Sequence, residues 1–178
     1  MKKKTMLELN RLDIEEYHSA KKIPLVIVLD DIRSLNNIGS IFRTSDAFLV
    51  EKIYLCGITA FPPNPDIHKT ALGAENSVEW EYRQDIRHLV DELKKEYKIC
   101  CIEQVNGSVD IRNFCIDRDS KYAVVFGNEV KGVKQDIVDI SDYCIELPQY
   151  GTKHSLNVSI TAGIVIWNFF NNLYVMNK

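Results

Sequence analysis

Arg43 closes the segment Asn37-Ile38-Gly39-Ser40-Ile41-Phe42-Arg43, about two helical turns after an asparagine able to cap a helix. A planar guanidinium placed there can grip a phosphate through two parallel N–H groups. The plainer reading is a capped helix with a solvated arginine, and Gly39 permits a close backbone approach in either case. In a second segment, Phe126-Gly127-Asn128-Glu129-Val130-Lys131-Gly132, a carboxylate follows a strand-ending glycine. Gly127 would let the backbone meet a flat ligand and Gly132 would allow a tight turn; the plainer reading is a glycine-rich turn before a helix over 134–140. The third, Leu147-Pro148-Gln149-Tyr150-Gly151 with Ser155-Leu156-Asn157, precedes a strongly apolar stretch for which Ser155 is a good N-cap. Each segment follows a run that reads as a buried strand. Ligands of open α/β sheets bind beyond the carboxyl ends of the strands, so three polar strand ends point to one shared site.

Other chemistries find less support. The second segment is neither a G-x-G-x-x-G fingerprint nor a Walker A loop, so dinucleotide and ATP binding gain nothing from it. His154 beside Ser155 does not make a triad, and His68 and His154 lack a second metal ligand at suitable spacing. Five cysteines (Cys56, Cys100, Cys101, Cys115 and Cys144) are odd in number and without CxxC spacing. Four sit in or beside apolar strand-like runs, which suits buried thiols in a reducing cytoplasm. Met1-Lys2-Lys3-Lys4 is basic, but Glu8, Asn10, Arg11 and Asp13 stand where a signal peptide would be apolar. No apolar run reaches membrane length. A net charge of −3 argues mildly against an obligate nucleic-acid binder, yet local clustering of Lys and Arg matters more than the total. Composition leaves RNA open.

The elements that must position these segments alternate along 178 residues, enough for one domain. Residues 1–20 read as an N-terminal helical extension and 21–178 as the body. Thr5 and Glu8 have capping-box spacing, with Met6, Leu9, Leu12 and Ile14 as a partial apolar face. Leu25-Val26-Ile27-Val28-Leu29 is continuously apolar, the mark of a strand covered on both faces. A helix is expected over 37–48, a strand over 52–56, a proline-rich loop over 60–66 and a short strand over 78–82. An amphipathic helix follows over 85–97, with Ile86, Leu89, Val90 and Leu93 at helical spacing. Strands are expected over 99–102, 122–126 and 143–147, and a last helix over 155–174. The alternation predicts a mainly parallel α/β sheet with helices on both faces. The last helix is apolar nearly all round, so either the domain or a second subunit must cover it.

In order and spacing the three segments together resemble the three motifs of the SpoU/TrmH family, ribose 2′-O-methyltransferases of the SPOUT class, from about Pro24 onward. The resemblance implies an α/β knotted fold, its C-terminal segment threaded through a loop as a trefoil knot, and a homodimer joined through terminal helices. It also implies S-adenosylmethionine as methyl donor and an RNA ribose 2′-hydroxyl as acceptor. Carried over by motif, Asn37, Arg43, Glu129, Ser155 and Asn157 match catalytic-site residues, while Gly127, Leu147 and Leu156 match positions that hold S-adenosylmethionine. The family points to Arg43 for activating the hydroxyl; because free arginine stays protonated, gripping the adjacent phosphate is the role expected here. The chain departs from the family at Leu49-Val50, where many members carry a glycine. It shows no added RNA-binding domain of the kind seen in many ribosomal-RNA members, which points to transfer RNA. One rival is a SPOUT-like RNA-binding protein that has lost catalysis, although none of the three motifs is broken. Another is a different α/β enzyme acting on a small nucleotide.

Overall fold

The computed structural model describes residues 1–5 and 7–174. In chain order the elements are α1 (Ile14–Ser19), β1 (Ile23–Asp30), α2 (Leu35–Ala47), β2 (Val50–Cys56), α3 (Pro65–Ala71), β3 (Trp80–Arg83) and α4 (Ile86–Leu93). Then come β4 (Tyr97–Ile102), β5 (Val109–Asp110), β6 (Lys121–Phe126), α5 (Gln135–Val138), β7 (Tyr143–Glu146) and α6 (Val158–Leu173). The strands form one sheet in the order β3-β2-β1-β6-β4-β7-β5, every neighbouring pair parallel.

The continuous apolar run of β1 has the predicted cause. Leu25, Ile27 and Leu29 enter one core cluster, Val26 and Val28 the other, because successive side chains point to opposite faces. β6 repeats the pattern, with Tyr122, Val124 and Phe126 on one side and Ala123 and Val125 on the other. α2, α3 and α6 contribute to the first core and α4 and α5 to the second, so helices cover both faces. The five cysteines are free thiols, and only Cys115 is exposed.

Several boundaries differ from the sequence expectation, each for a local reason. The N-terminal extension is a short 3-10 turn (Leu7–Leu9) followed by α1, with Asp13 and Glu16 forming the capping box of α1. Thr5 and Glu8 do bond one another, but around the turn. Leu9, Leu12 and Ile14 are exposed, Tyr17 is the residue that α1 buries, and Met6 lies outside the described residues. The prolines hid α3: Pro65 takes its first position, where no N–H is needed, and Asn64 caps it, so the loop stops there. β5 spans two residues and carries no readable pattern. α4 ends at Leu93 and α5 is a single turn. Leu49, in the Leu49-Val50 pair at which the chain departs from the motif it resembles, adopts a left-handed φ of +53°.

α6 answers the question of its cover. Ala162, Val165, Ile166, Phe169 and Leu173 are buried, whereas Ile160, Ile164 and Trp167 stay 44–56% exposed on the other side. The domain covers one face of this helix only.

Gly39 sets the distance between α2 and α3. A Cβ there would lie 2.2 Å from Thr70 Oγ1 and 2.3 Å from the Ile67 carbonyl oxygen. Gly39→Ala should therefore lower stability by about 1–3 kcal/mol, read as a lower urea midpoint with unchanged slope. Arg43→Ala, exposed on the same helix, should stay within about 0.5 kcal/mol of the parent.

Candidate active site

The ends of β4, β6 and β7 open into a cleft of about 730 Å³. Ile102 to Val105 line it from β4, Phe126 to Val133 from β6, and Glu146, Leu147 and Gln149 from β7. His154 to Val158 and Thr161 close it from the approach to α6. The volume falls in the range of small-molecule sites. Of the residues singled out in the sequence, Gly127, Glu129, Leu147, Ser155, Leu156 and Asn157 line this cleft.

Asn37 stands behind them and ties the three segments together. Its Nδ2 donates to Glu129 Oε1 at 3.3 Å, and its Oδ1 accepts from Asn157 Nδ2 at 3.0 Å. It does not cap α2; Ser34 does, accepting from the Asn37 amide, and the Asn37 side chain is thereby free for this work. Asn157, not Ser155, caps α6: its Oδ1 accepts from the Ser159 amide at 2.8 Å. A cap needs its side chain turned back on the first helical turn, and the helix begins at Val158, too late for Ser155 to reach it. Ser155 instead faces the cleft. Arg43 is exposed on α2 and does not line the cleft.

The Glu129 carboxylate sits at the start of α2, accepting from the amides of Arg33 (3.0 Å) and Ser34 (3.1 Å). Partial burial pushes its pKa up, but those two amides and Asn37 outweigh that and hold it below the ordinary glutamate value. The positive end of the helix dipole acts in the same direction. Glu129 is thus a firmly ionised anchor and a weak proton acceptor.

The loop carrying Glu129 is fastened by residues that the sequence did not mark. Asn128 folds the loop by accepting from the amides of Val130 and Lys131, and donates to the Asp31 carbonyl at 2.7 Å. Glu103 accepts from the Val133 amide at 2.8 Å and leaves no room for a side chain at Gly132, whose φ is +69°. A Cβ on Gly127 would lie 2.2–2.3 Å from the Gly132–Val133 backbone, so this glycine, which also lines the cleft, is required for loop closure. Lys134 reaches across to β1, 2.9 Å from Asp31 and 3.2 Å from the buried Asp30. Burial raises the Asp30 pKa despite the lysine, while Lys134 and the Ile58 amide keep Asp31 below the carboxylate range. The aspartate doublet at a strand end was the available signal, but nothing local pointed to its lysine.

The SpoU rRNA methylase family matches residues 24–167 of the chain. Among curated relatives, an "uncharacterized tRNA/rRNA methyltransferase" of Borreliella burgdorferi is 29% identical, over 90% of this chain and 70% of its own. The 23S rRNA (guanosine-2′-O-)-methyltransferase RlmB of Neisseria meningitidis is 33% identical over 80% of this chain. The chain spans 56% of that relative and 62% of several others, less than two thirds of their length. The solved A. aeolicus TrmH/SpoU tRNA modifying enzyme superposes with a TM-score of 0.78 at 26% identity, covering 89% of this chain and 80% of that one.

Two consequences of this geometry are measurable. Because the Glu129 pKa is lowered by folding, its contribution to stability is present above the unfolded value of ~4.3 and lost as pH falls through the folded one. The stability gap between the parent and Glu129→Gln should be widest near neutral pH and shrink below about pH 4, as followed by urea unfolding. Lys134→Met should cost about 1–2 kcal/mol and speed hydrogen exchange at the Gly132 and Val133 amides. Adding Asp30→Asn should return part of that loss.

Proposed function

Since the chain belongs to the SpoU rRNA methylase family, we propose that it is an S-adenosylmethionine-dependent methyltransferase acting on a ribose 2′-hydroxyl of RNA. The observation that carries this reading is the bonded run Glu129–Asn37–Asn157 beside a cleft at the strand ends. Gly127, Leu147 and Leu156 would hold S-adenosylmethionine, with the two leucines offering apolar contact to a flat base. Glu103, Glu129 and Glu146 line the same cleft, and their carboxylates favour a cationic sulfonium. When bound, that group supplies the activated methyl.

The chain's own contribution is alignment. Both amides of the Asn37–Asn157 pair are committed to fixed partners, and the Glu129 carboxylate is held ionised, so these three residues form a rigid polar wall without a strong base among them. Ser155 adds a hydroxyl to that wall. Arg43, open to solvent on the helix that carries Asn37, would grip the phosphate next to the target ribose and orient its hydroxyl. We infer transfer RNA ahead of ribosomal RNA as acceptor. The likeness to the A. aeolicus tRNA modifying enzyme extends over 80% of that chain, which supports this order; only 56% of the 23S rRNA methyltransferase is spanned. The threaded C-terminal segment, a cytoplasmic setting and a homodimer belong to the same reading. For the dimer, Ile160, Ile164 and Trp167 recur at helical spacing along the uncovered face of α6.

Ribose-methylation mapping of RNA from cells lacking the protein should reveal one missing 2′-O-methyl position, and an unchanged map would refute the activity. Arg43→Ala should slow transfer roughly 100-fold or more while leaving S-adenosylmethionine affinity nearly intact, and Arg43→Lys should rescue little. Near-parental turnover would remove Arg43 from the mechanism. Trp167→Glu should convert a dimer into a species of about 20.5 kDa by light scattering.

A further inference from the structure

Tyr150 is 84% exposed, the most open aromatic ring among the described residues, and yet it is held in place. Its hydroxyl accepts a hydrogen bond from Arg112 Nη2 at 3.1 Å. Arg112 is itself fixed: its Nε lies 3.0 Å from both carboxylate oxygens of Asp110, and its backbone amide donates to Asp110 at 2.8 Å. Asp110 ends β5 and pairs in register with Glu146 of β7, the strand that runs into the Tyr150 loop. In sequence Tyr150 stands between Gln149 and His154, both of which line the cleft. An exposed side chain gains nothing for the core by being pinned. Pinning does lower the entropy lost when the ring meets a partner.

We propose that Tyr150 is a stacking platform at the lip of the cleft for a nucleobase of the RNA acceptor, with Arg112 as the positioning residue that holds its ring. This rests on the reading that the chain acts on RNA. The chemistry selects the π-face of a base over the alternatives. Arg112 is neutralised by Asp110, so the pair is not a phosphate clamp. Gly151, Thr152 and Lys153, which follow the ring in sequence, are exposed and carry no apolar side chain, so its own loop adds nothing to an apolar patch of the kind a protein partner buries. An isolated, oriented aromatic ring beside a polar cleft suits an unpaired base, which is recognised by stacking.

The test is fluorescence polarisation of the full chain with a labelled 12-nucleotide oligoadenylate, repeated with an oligonucleotide of the same length lacking bases. Tyr150→Ala should weaken binding to the oligoadenylate roughly tenfold. Tyr150→Phe, which keeps the ring, should retain most of the affinity, and Arg112→Ala should fall between. The slope of log affinity against log salt should be the same for the parent and Tyr150→Ala, because a neutral ring releases no counterions. On the baseless strand the variants should not differ. Equal affinity of parent and Tyr150→Ala for oligoadenylate, or a changed salt slope, overturns the platform. Methyl transfer to bulk RNA, measured in parallel on the parent, separates the two failures. Transfer that persists while the Tyr150→Ala affinity is unmoved removes the platform alone. A parent that neither binds nor methylates RNA removes the platform together with the reading beneath it.

Discussion

The carboxamide of Asn37 is the point at which the three polar segments become one site. Its nitrogen donates to Glu129 and its oxygen accepts from Asn157, so its orientation is set from both sides. A carboxamide carries a donor nitrogen and an acceptor oxygen in a fixed fork, and this position uses both atoms. An aspartate could not donate to Glu129 and would set a second carboxylate against it. A hydrophobic residue would leave two polar partners unsatisfied, which costs more than the bonds themselves contribute. Glu129 in turn holds the start of α2 through the Arg33 and Ser34 amides, and Asn157 holds the start of α6. The wall of the cleft and the ends of two core helices are therefore one hydrogen-bonded object.

Around that object the loop after β6 is tied down where it would otherwise be loose. Asn128 and Lys134 fasten it to the end of β1, and Glu103 fastens it to the end of β4. Gly127 and Gly132 let its backbone fold this tightly, one by leaving room for the opposite limb and the other by a left-handed φ. Irregular backbone is usually the mobile part of a fold; here charge pairs and side-chain-to-backbone bonds take the place of a ladder.

Much of this arrangement was legible because strand burial writes itself as composition. β1 and β6 are apolar at both parities, and polar residues appear where each strand ends. Gly127, Glu129, Leu147, Ser155, Leu156 and Asn157 line a common cleft as their motif positions implied, and Asn37 joins them through its bonds. Local readings failed where a competing local solution existed. Ser34 precedes Asn37 as a cap, Asn157 follows Ser155, and Pro65 opens a helix where prolines suggested only loop. Arg43 kept its place on α2, but its distance from the cleft lining could not be read from spacing. Lys134 and Glu103 were invisible for another reason: their partners lie 104 and 30 residues away, and a charge has no periodicity to betray its mate.

The separation of Asn37 from its partners also orders events in time. Glu129 lies 92 residues further along the chain and Asn157 lies 120 residues further. A chain made from its N-terminus at roughly 5–20 residues per second spends several seconds with α2 emerged and its asparagine answered only by water. β1 meets the same delay, because β6 becomes its neighbour ahead of every strand made in between except β2. Such non-local pairings carry a loop-closure cost before they give any return, and they slow folding. A fragment that stops short of Asn157 can form the Asn37–Glu129 bond and lacks the Asn37–Asn157 bond, so its wall is unfinished. The polar wall is therefore among the late-formed parts of this architecture, finished only once α2 has met both of its distant partners.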